Sequence, residues 1–126
     1  MESKITAGMR IIYAEDDPLI RENIARLLVS QGVDVHEARD GGEAILLCRT
    51  FCPDAVLLDL GMPNIDGFET ARRIRELDVA QRIRLVALTA HGDADHQRMA
   101  KLAGFDEFLT KPISAETLIG ALTRWH

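Results

Sequence analysis

Ala55-Val56-Leu57-Leu58 sets four apolar residues in a row, bounded by Pro53 on one side and by Gly61 and Pro63 on the other. A half-exposed strand alternates apolar and polar residues, whereas an unbroken short apolar run between turn residues fits a strand buried on both faces. Such a strand needs helices above and below it, which restricts the chain to a layered α/β architecture. The run ends in a single carboxylate, Asp59, at the kind of strand end where open α/β sheets bind ligands. Function then turns on which other side chains reach Asp59.

Upstream, Ile11-Ile12-Tyr13-Ala14 reads as a first apolar strand closing on Glu15-Asp16-Asp17-Pro18. Pro18 suits the first turn of a helix, with Asp17 as its N-cap. Ile20, Ile24, Leu27, Leu28 and Gln31 follow an amphipathic spacing, and Gly32 supplies the stop. Val33 to Ala38 alternates apolar and polar residues, as an edge strand does. Asp40, with Glu43 three residues on, predicts the cap of a second helix with Ala44, Leu47, Cys48 and Phe51 as its buried stripe.

Beyond the Asp59 loop, a third helix from about Phe68 turns Ala71, Ile74 and Leu77 inward. Leu85-Val86-Ala87-Leu88 is a fourth strand ending at Thr89-Ala90, and Met99, Leu102 and Ala103 mark a fourth helix stopped by Gly104. Phe105 to Thr110 gives a fifth strand ending at Lys111-Pro112. Ser114 caps a last helix carrying Leu118, Ala121, Leu122 and Trp125. Five strands alternating with five helices imply right-handed crossovers and a parallel sheet covered on both faces. An edge-like second strand beside fully apolar first, third and fourth strands suits a flavodoxin-like, doubly wound order 2-1-3-4-5. Residues 1–9 are aperiodic, a tail or linker remnant, and residues 10–126 form one domain of ordinary size.

The net charge of −5 and the lack of any Lys/Arg run exclude a nucleic-acid footprint. No apolar run approaches the roughly 20 residues needed to span a bilayer. Met1 to Thr6 lacks the apolar stretch of a signal peptide, so a cytoplasmic domain without membrane contact is expected. Cys48 and Cys52 have no second Cys/His pair to complete a zinc site and read as small hydrophobes in or beside a core.

In a parallel sheet all strands end on one edge, which here collects Asp16 and Asp17, Asp59, Thr89 and Lys111. Three carboxylates in one place repel, and a divalent cation is the usual relief. A sparse oxygen-only ligand set favours Mg²⁺, which seeks phosphate oxygens. A hydroxyl and an ammonium beside it make a clamp for a phosphoryl group, with Asp59 as the natural nucleophile. Singly, Asp17 is a helix cap, Thr89 a loop hydroxyl, Lys111 a solvated lysine and Asp59 the start of an Asx turn. Together, on four different strands, they point to phosphoryl chemistry.

As an ordered set these motifs, Glu15-Asp16-Asp17-Pro18, Asp59-Leu60-Gly61-Met62-Pro63 with Asp66-Gly67, Leu88-Thr89-Ala90 and Lys111-Pro112, resemble the receiver domain of two-component response regulators and hybrid histidine kinases. The likeness runs from about Arg10 to Trp125 and implies a CheY-like fold. It implies that Asp59 takes a phosphoryl group from a phosphohistidine on a histidine kinase or histidine phosphotransfer domain. It implies that Asp17, Asp59 and the backbone carbonyl of Gly61 hold Mg²⁺, with Asp16 acting largely through water, and that Thr89 and Lys111 contact the phosphoryl oxygens. The Lys111-Pro112 bond is expected cis. Thr89 and Phe108 fall at the family's switch positions, although Phe108 lacks the hydroxyl many members carry. A readout face of the fourth helix, fifth strand and fifth helix would serve a homodimer or a target protein. Gly61 and His91 occupy positions that modulate acyl-phosphate hydrolysis. Asp93, Asp95 and His96 read as a solvated helix start.

Such a domain catalyses its own phosphorylation and dephosphorylation and is not otherwise expected to be an enzyme. A Mg²⁺-dependent phosphohydrolase of the haloacid dehalogenase type is the alternative from another class. Its nucleophile motif, however, carries a second Asp where this chain has Gly61. An interaction-only receiver would lose an acidic, Thr or Lys position, and none is lost. Whether the domain stands alone or belongs to a larger regulator or hybrid kinase is left open by the sequence, as are its kinase and input.

Overall fold

The computed structural model describes residues 8–62, 66–78 and 82–124. The expected tail up to residue 7, Pro63 of the loop motif and Trp125 of the last stripe lie outside the described residues. The elements are β1 (Arg10–Ala14), α1 (Pro18–Ser30), β2 (Asp34–Ala38), α2 (Gly41–Phe51), β3 (Ala55–Asp59), α3 (Gly67–Leu77), β4 (Arg84–Thr89), α4 (Ala94–Ala103), β5 (Glu107–Thr110) and α5 (Ala115–Thr123). The sheet is parallel throughout, in the expected order β2-β1-β3-β4-β5.

Each helix begins on a side-chain cap that satisfies an otherwise orphaned backbone N–H. Asp17 accepts from Leu19 and Ile20, Asp40 from Glu43, Asp66 from Glu69, Asp93 from His96, and Ser114 from Thr117. Alternate residues of the central strands feed two cores. Ile12, Val56, Leu58, Leu85 and Ala87 pack with Ala44, Cys48, Ala71, Ile74, Ala100 and Ala103 on the α2–α3–α4 side. Ile11, Tyr13, Leu57, Val86 and Leu88 meet Leu28, Leu118 and Leu122 on the α1–α5 side.

Several expected stripe residues face solvent instead. Leu27, Leu77, Met99 and Leu102 are exposed, the last at 79%. The buried positions on α1 are Ala25 and Leu28, and those on α4 are Ala100 and Ala103. Alanines let a helix approach the sheet closely and leave the flanking large residues outside a narrow seam. Cys48 is buried in the core, while Cys52 is exposed as the left-handed cap of α2, with φ 47°. Strand β5 starts two residues later than expected. Gly104, at φ 108°, ends α4 in a Schellman arrangement in which the Phe105 N–H donates to the Ala100 carbonyl, so Phe105 belongs to the helix cap.

Candidate functional site

The register brings the ends of β1, β3, β4 and β5 to one edge: Ala14 lies beside Leu58, Asp59 beside Leu88, and Thr89 beside Thr110. Asp59 is 5% exposed there and both its oxygens are engaged. Oδ1 accepts the Gly61 N–H at 2.9 Å and Oδ2 accepts from the Lys111 ammonium at 2.8 Å. The ammonium also reaches Glu15 Oε1 at 3.4 Å. Lys111 is fixed by its backbone, whose N–H donates to the Thr89 carbonyl at 2.7 Å, and the Lys111-Pro112 peptide is cis.

Glu15, Asp16 and Asp59 each offer a carboxylate oxygen within 4.8 Å of the others. Three carboxylates so close, faced by one ammonium, are a donor set that fits a small hard dication. Asp17, expected in this set, lies elsewhere. Its Oδ1 accepts from the N–H groups of Leu19 and Ile20 at the start of α1, while its own N–H donates to Glu15 Oε2 at 3.2 Å. Pro18 gives the reason, because a helix starting there makes Asp17 its cap. The carboxylates that come together among the described residues are those of Glu15, Asp16 and Asp59. Glu15, 2% exposed, is the member that sequence reasoning missed, and the signal was its place directly after the last residue of β1.

Burial pushes the Glu15 carboxyl up to about 7, and the neighbouring Asp59 charge adds to the rise. Burial works against the Lys111 ammonium. The hydrogen bond and charge of Asp59, with the charge of Glu15, outweigh it and raise the lysine above its ordinary value. Arg21, also missed, clamps the acidic loop: Nη1 donates to the Glu15 carbonyl at 2.8 Å, and Nε to Glu37 on β2 at 3.1 Å.

Thr89 is buried, and its hydroxyl accepts the His91 N–H at 3.0 Å. A cleft of about 270 Å³ joins Asp59, Gly61 and Lys111 to Thr89, Phe68, His91 and His96. Phe108 is half-buried on β5, beside Ala87 and packed against the α2–α3–α4 core. Thr89 follows Ala87 by two residues, so it shares that sheet face on the neighbouring strand. Among the described residues, no helix is long and apolar enough to cross a membrane.

A family model described as the response regulator receiver domain matches residues 11–123. Response regulator MprA of Mycolicibacterium vanbaalenii is 38% identical over 115 residues, covering 90% of this chain and 48% of that protein. The chain thus spans about half the length of that curated relative. Chemotaxis protein CheY4 of Vibrio cholerae superposes with a TM-score of 0.88 at 27% identity, covering 94% of this chain and 98% of that one. The receiver domain of sensor histidine kinase PA1611 from Pseudomonas aeruginosa, solved with a magnesium ion coordinated in its active-site cleft, has a TM-score of 0.85 at 32% identity. It covers 94% of this chain and 98% of its own.

Proposed function

The chain belongs to the response regulator receiver domain family, and on that premise we propose that Asp59 accepts a phosphoryl group from a phosphohistidine on a histidine kinase or histidine phosphotransfer domain. The observation that carries this reading is the 2.8 Å pairing of Asp59 with Lys111 beside Glu15 and Asp16, at the mouth of a cleft also lined by Thr89. Asp59 is a nucleophile held ready by partners on both oxygens. Lys111 is positioned to move from the carboxylate to an incoming phosphoryl oxygen, and Thr89 can give a second contact. Phosphoryl transfer asks mainly for such positioning and charge neutralisation.

The residues that would hold Mg²⁺ are Asp16 and Asp59 with the Gly61 carbonyl, with the Glu15 carboxylate beside them. When bound, the cation offsets the carboxylate charge that would otherwise repel an anionic phosphoryl donor. Phosphorylation adds roughly −1.5 to −2 charges and new acceptor oxygens. Drawing the Thr89 hydroxyl toward them releases the His91 N–H and opens room on the sheet face that Phe108 shares. The readout surface is then α4, β5 and α5, open to a target protein or a second copy. A cytoplasmic setting suits a phosphohistidine donor, and a longer regulator or hybrid histidine kinase is a fitting parent.

Incubation with acetyl phosphate and Mg²⁺, followed by intact mass, tests this. The wild type gains one phosphoryl group and Asp59→Asn gains none; persistent labelling of the variant overturns the assignment. Steady release of phosphate from small esters, in place of a stoichiometric label, would favour the dehalogenase-type phosphohydrolase.

A further inference from the structure

Two imidazoles form part of the cleft wall. His91 and His96 line it together with Asp59, Thr89 and Lys111. Their rings stack with centroids 4.9 Å apart and planes 16° from parallel. His91 is held over the Thr89 hydroxyl through its backbone N–H. His96 is held by Asp93, whose Oδ1 lies 2.7 Å from the His96 Nδ1 and also accepts the His96 backbone N–H at 2.8 Å.

Helix capping accounts for the bond to the backbone, but it requires neither an imidazole at residue 96 nor a stack inside the cleft. A shared metal does not fit the pair either. A ligating nitrogen holds its metal in the ring plane, and two stacked, near-parallel planes cannot both contain one ion. What the arrangement does match is a carboxylate-oriented base. A carboxylate beside Nδ1 accepts that nitrogen's N–H, which holds the proton there and leaves Nε2 as the acceptor. The His96 backbone N–H, and then its ring, hold the Asp93 carboxyl below the usual range, so it is ionised for this task.

The geometry points to Asp93–His96 as a built-in base for hydrolysis of the Asp59 acyl phosphate, which would set the lifetime of the signal from within the chain. This rests on Asp59 as the phosphoacceptor. Water attacks phosphorus from the side opposite the Asp59 Oδ–P bond. As the new O–P bond forms, the old one breaks and its electron pair returns to the Asp59 carboxylate. The water proton passes to His96 Nε2 and then to solvent, leaving inorganic phosphate and free Asp59. The charged and titratable groups around His96 are Asp93, the cap of its helix, and His91, with Asp59 and Lys111 lining the same cleft. Asp95 on its own helix is engaged with Arg98.

Two variants separate chemistry from scaffolding. His96→Phe keeps an aromatic ring to stack on His91 but has no nitrogen, and Asp93→Asn keeps a good helix cap but loses the carboxylate. Each protein is phosphorylated with acetyl phosphate and Mg²⁺, freed of donor, and followed by intact mass across pH. General bases contribute roughly 10²–10⁴-fold, and a solvent-open site sits at or below the low end, so the label on His96→Phe should last about tenfold longer. Asp93→Asn should fall between it and the wild type. At saturating Mg²⁺ the wild-type rate should rise with pH more steeply than that of His96→Phe. A half-life within about twofold of wild type in His96→Phe, or an unchanged pH profile, would overturn the proposal while leaving the phosphoacceptor reading intact. Failure of the wild type to take any label would overturn both.

Discussion

Glu15 and Asp17 are two residues apart and do different work, and the difference decides how this site meets protons. Buried against Asp59, Glu15 has its carboxyl pushed up to about 7 from an ordinary 4.5. Its folded value lies above its unfolded one, so its contribution to stability is present in full below the unfolded value. It is lost as pH rises through about 7. Without metal, the protein should therefore melt lower as pH climbs across that window. Protons and Mg²⁺ compete for the same carboxylate, so Mg²⁺ affinity should rise over the same interval. Glu15→Gln should flatten both trends in a titration followed by calorimetry, whereas Asp17→Asn, which preserves the cap, should leave them in place. An equal slope in Glu15→Gln would remove Glu15 from the site. Lys111→Ala makes a separate test: Mg²⁺ should still bind, but nothing would draw the phosphoryl group into the switched arrangement. A wild-type change at α4, β5 and α5 on phosphorylation, seen by NMR shifts in the variant, would reduce Lys111 to a solvated lysine.

At the scale of the element, the β3–α3 connection holds the Asp59 loop against the start of a helix. A Cβ on Gly67 would stand 2.6 Å from Leu60 Cδ2 and 2.8 Å from the Leu60 Cα. The side chain can move but the backbone atom cannot without carrying the Leu60-Gly61 loop with it. Gly67→Ala should therefore cost about 1–3 kcal/mol, the range for overpacking, and also slow labelling of Asp59. Loss of stability with labelling unchanged would show that the loop adapts. Much at this scale was legible in the sequence. The apolar runs of β1, β3 and β4 have one reading, and the caps Asp17, Asp40 and Ser114 announce their helices by side-chain chemistry. What was not legible depended on neighbours. Leu102 looks like core by spacing, and only the close seating of Ala100 and Ala103 on the sheet turns it outward. Phe105 looks like strand, and the Gly104 cap claims it. Asp17 was legible as both a cap and a ligand, and its Oδ1 is engaged at the cap while its carboxylate lies outside the Glu15, Asp16 and Asp59 group.

Across the whole molecule, the two edges of the sheet carry separate tasks. The side chains proposed for phosphoryl transfer gather where the strands end, and the Arg75 guanidinium ties together the β4–β5 part of the edge where they begin. Arg75 donates from Nε and Nη2 to the Gly104 carbonyl at 2.9 and 2.7 Å, and from Nη1 to the Ile83 carbonyl at 2.6 Å. It also pairs with Asp78 at 3.0 Å and with Asp106 at 2.7 Å. It thereby joins the end of α3, the approach to β4, the cap of α4 and the approach to β5. Asp78 is buried and supports the N–H groups of Arg82 and Ile83, so removing its cation leaves a charge in the interior as well as two unmet carbonyls. Breaking a buried pair from one side costs about 3–5 kcal/mol. Arg75 is partly exposed, which puts Arg75→Ala near the lower end. For a domain of this size that corresponds to a melting temperature lower by on the order of 10 °C. None of these contacts touches the Asp59 cleft, so the folded variant should take up phosphate from acetyl phosphate at the wild-type rate when assayed well below its melting point. A large loss of stability with unchanged labelling is the expected pair of results. A labelling rate that falls in step with stability would mean that the two edges are mechanically coupled, and that Arg75 belongs to the switch as well as to the scaffold.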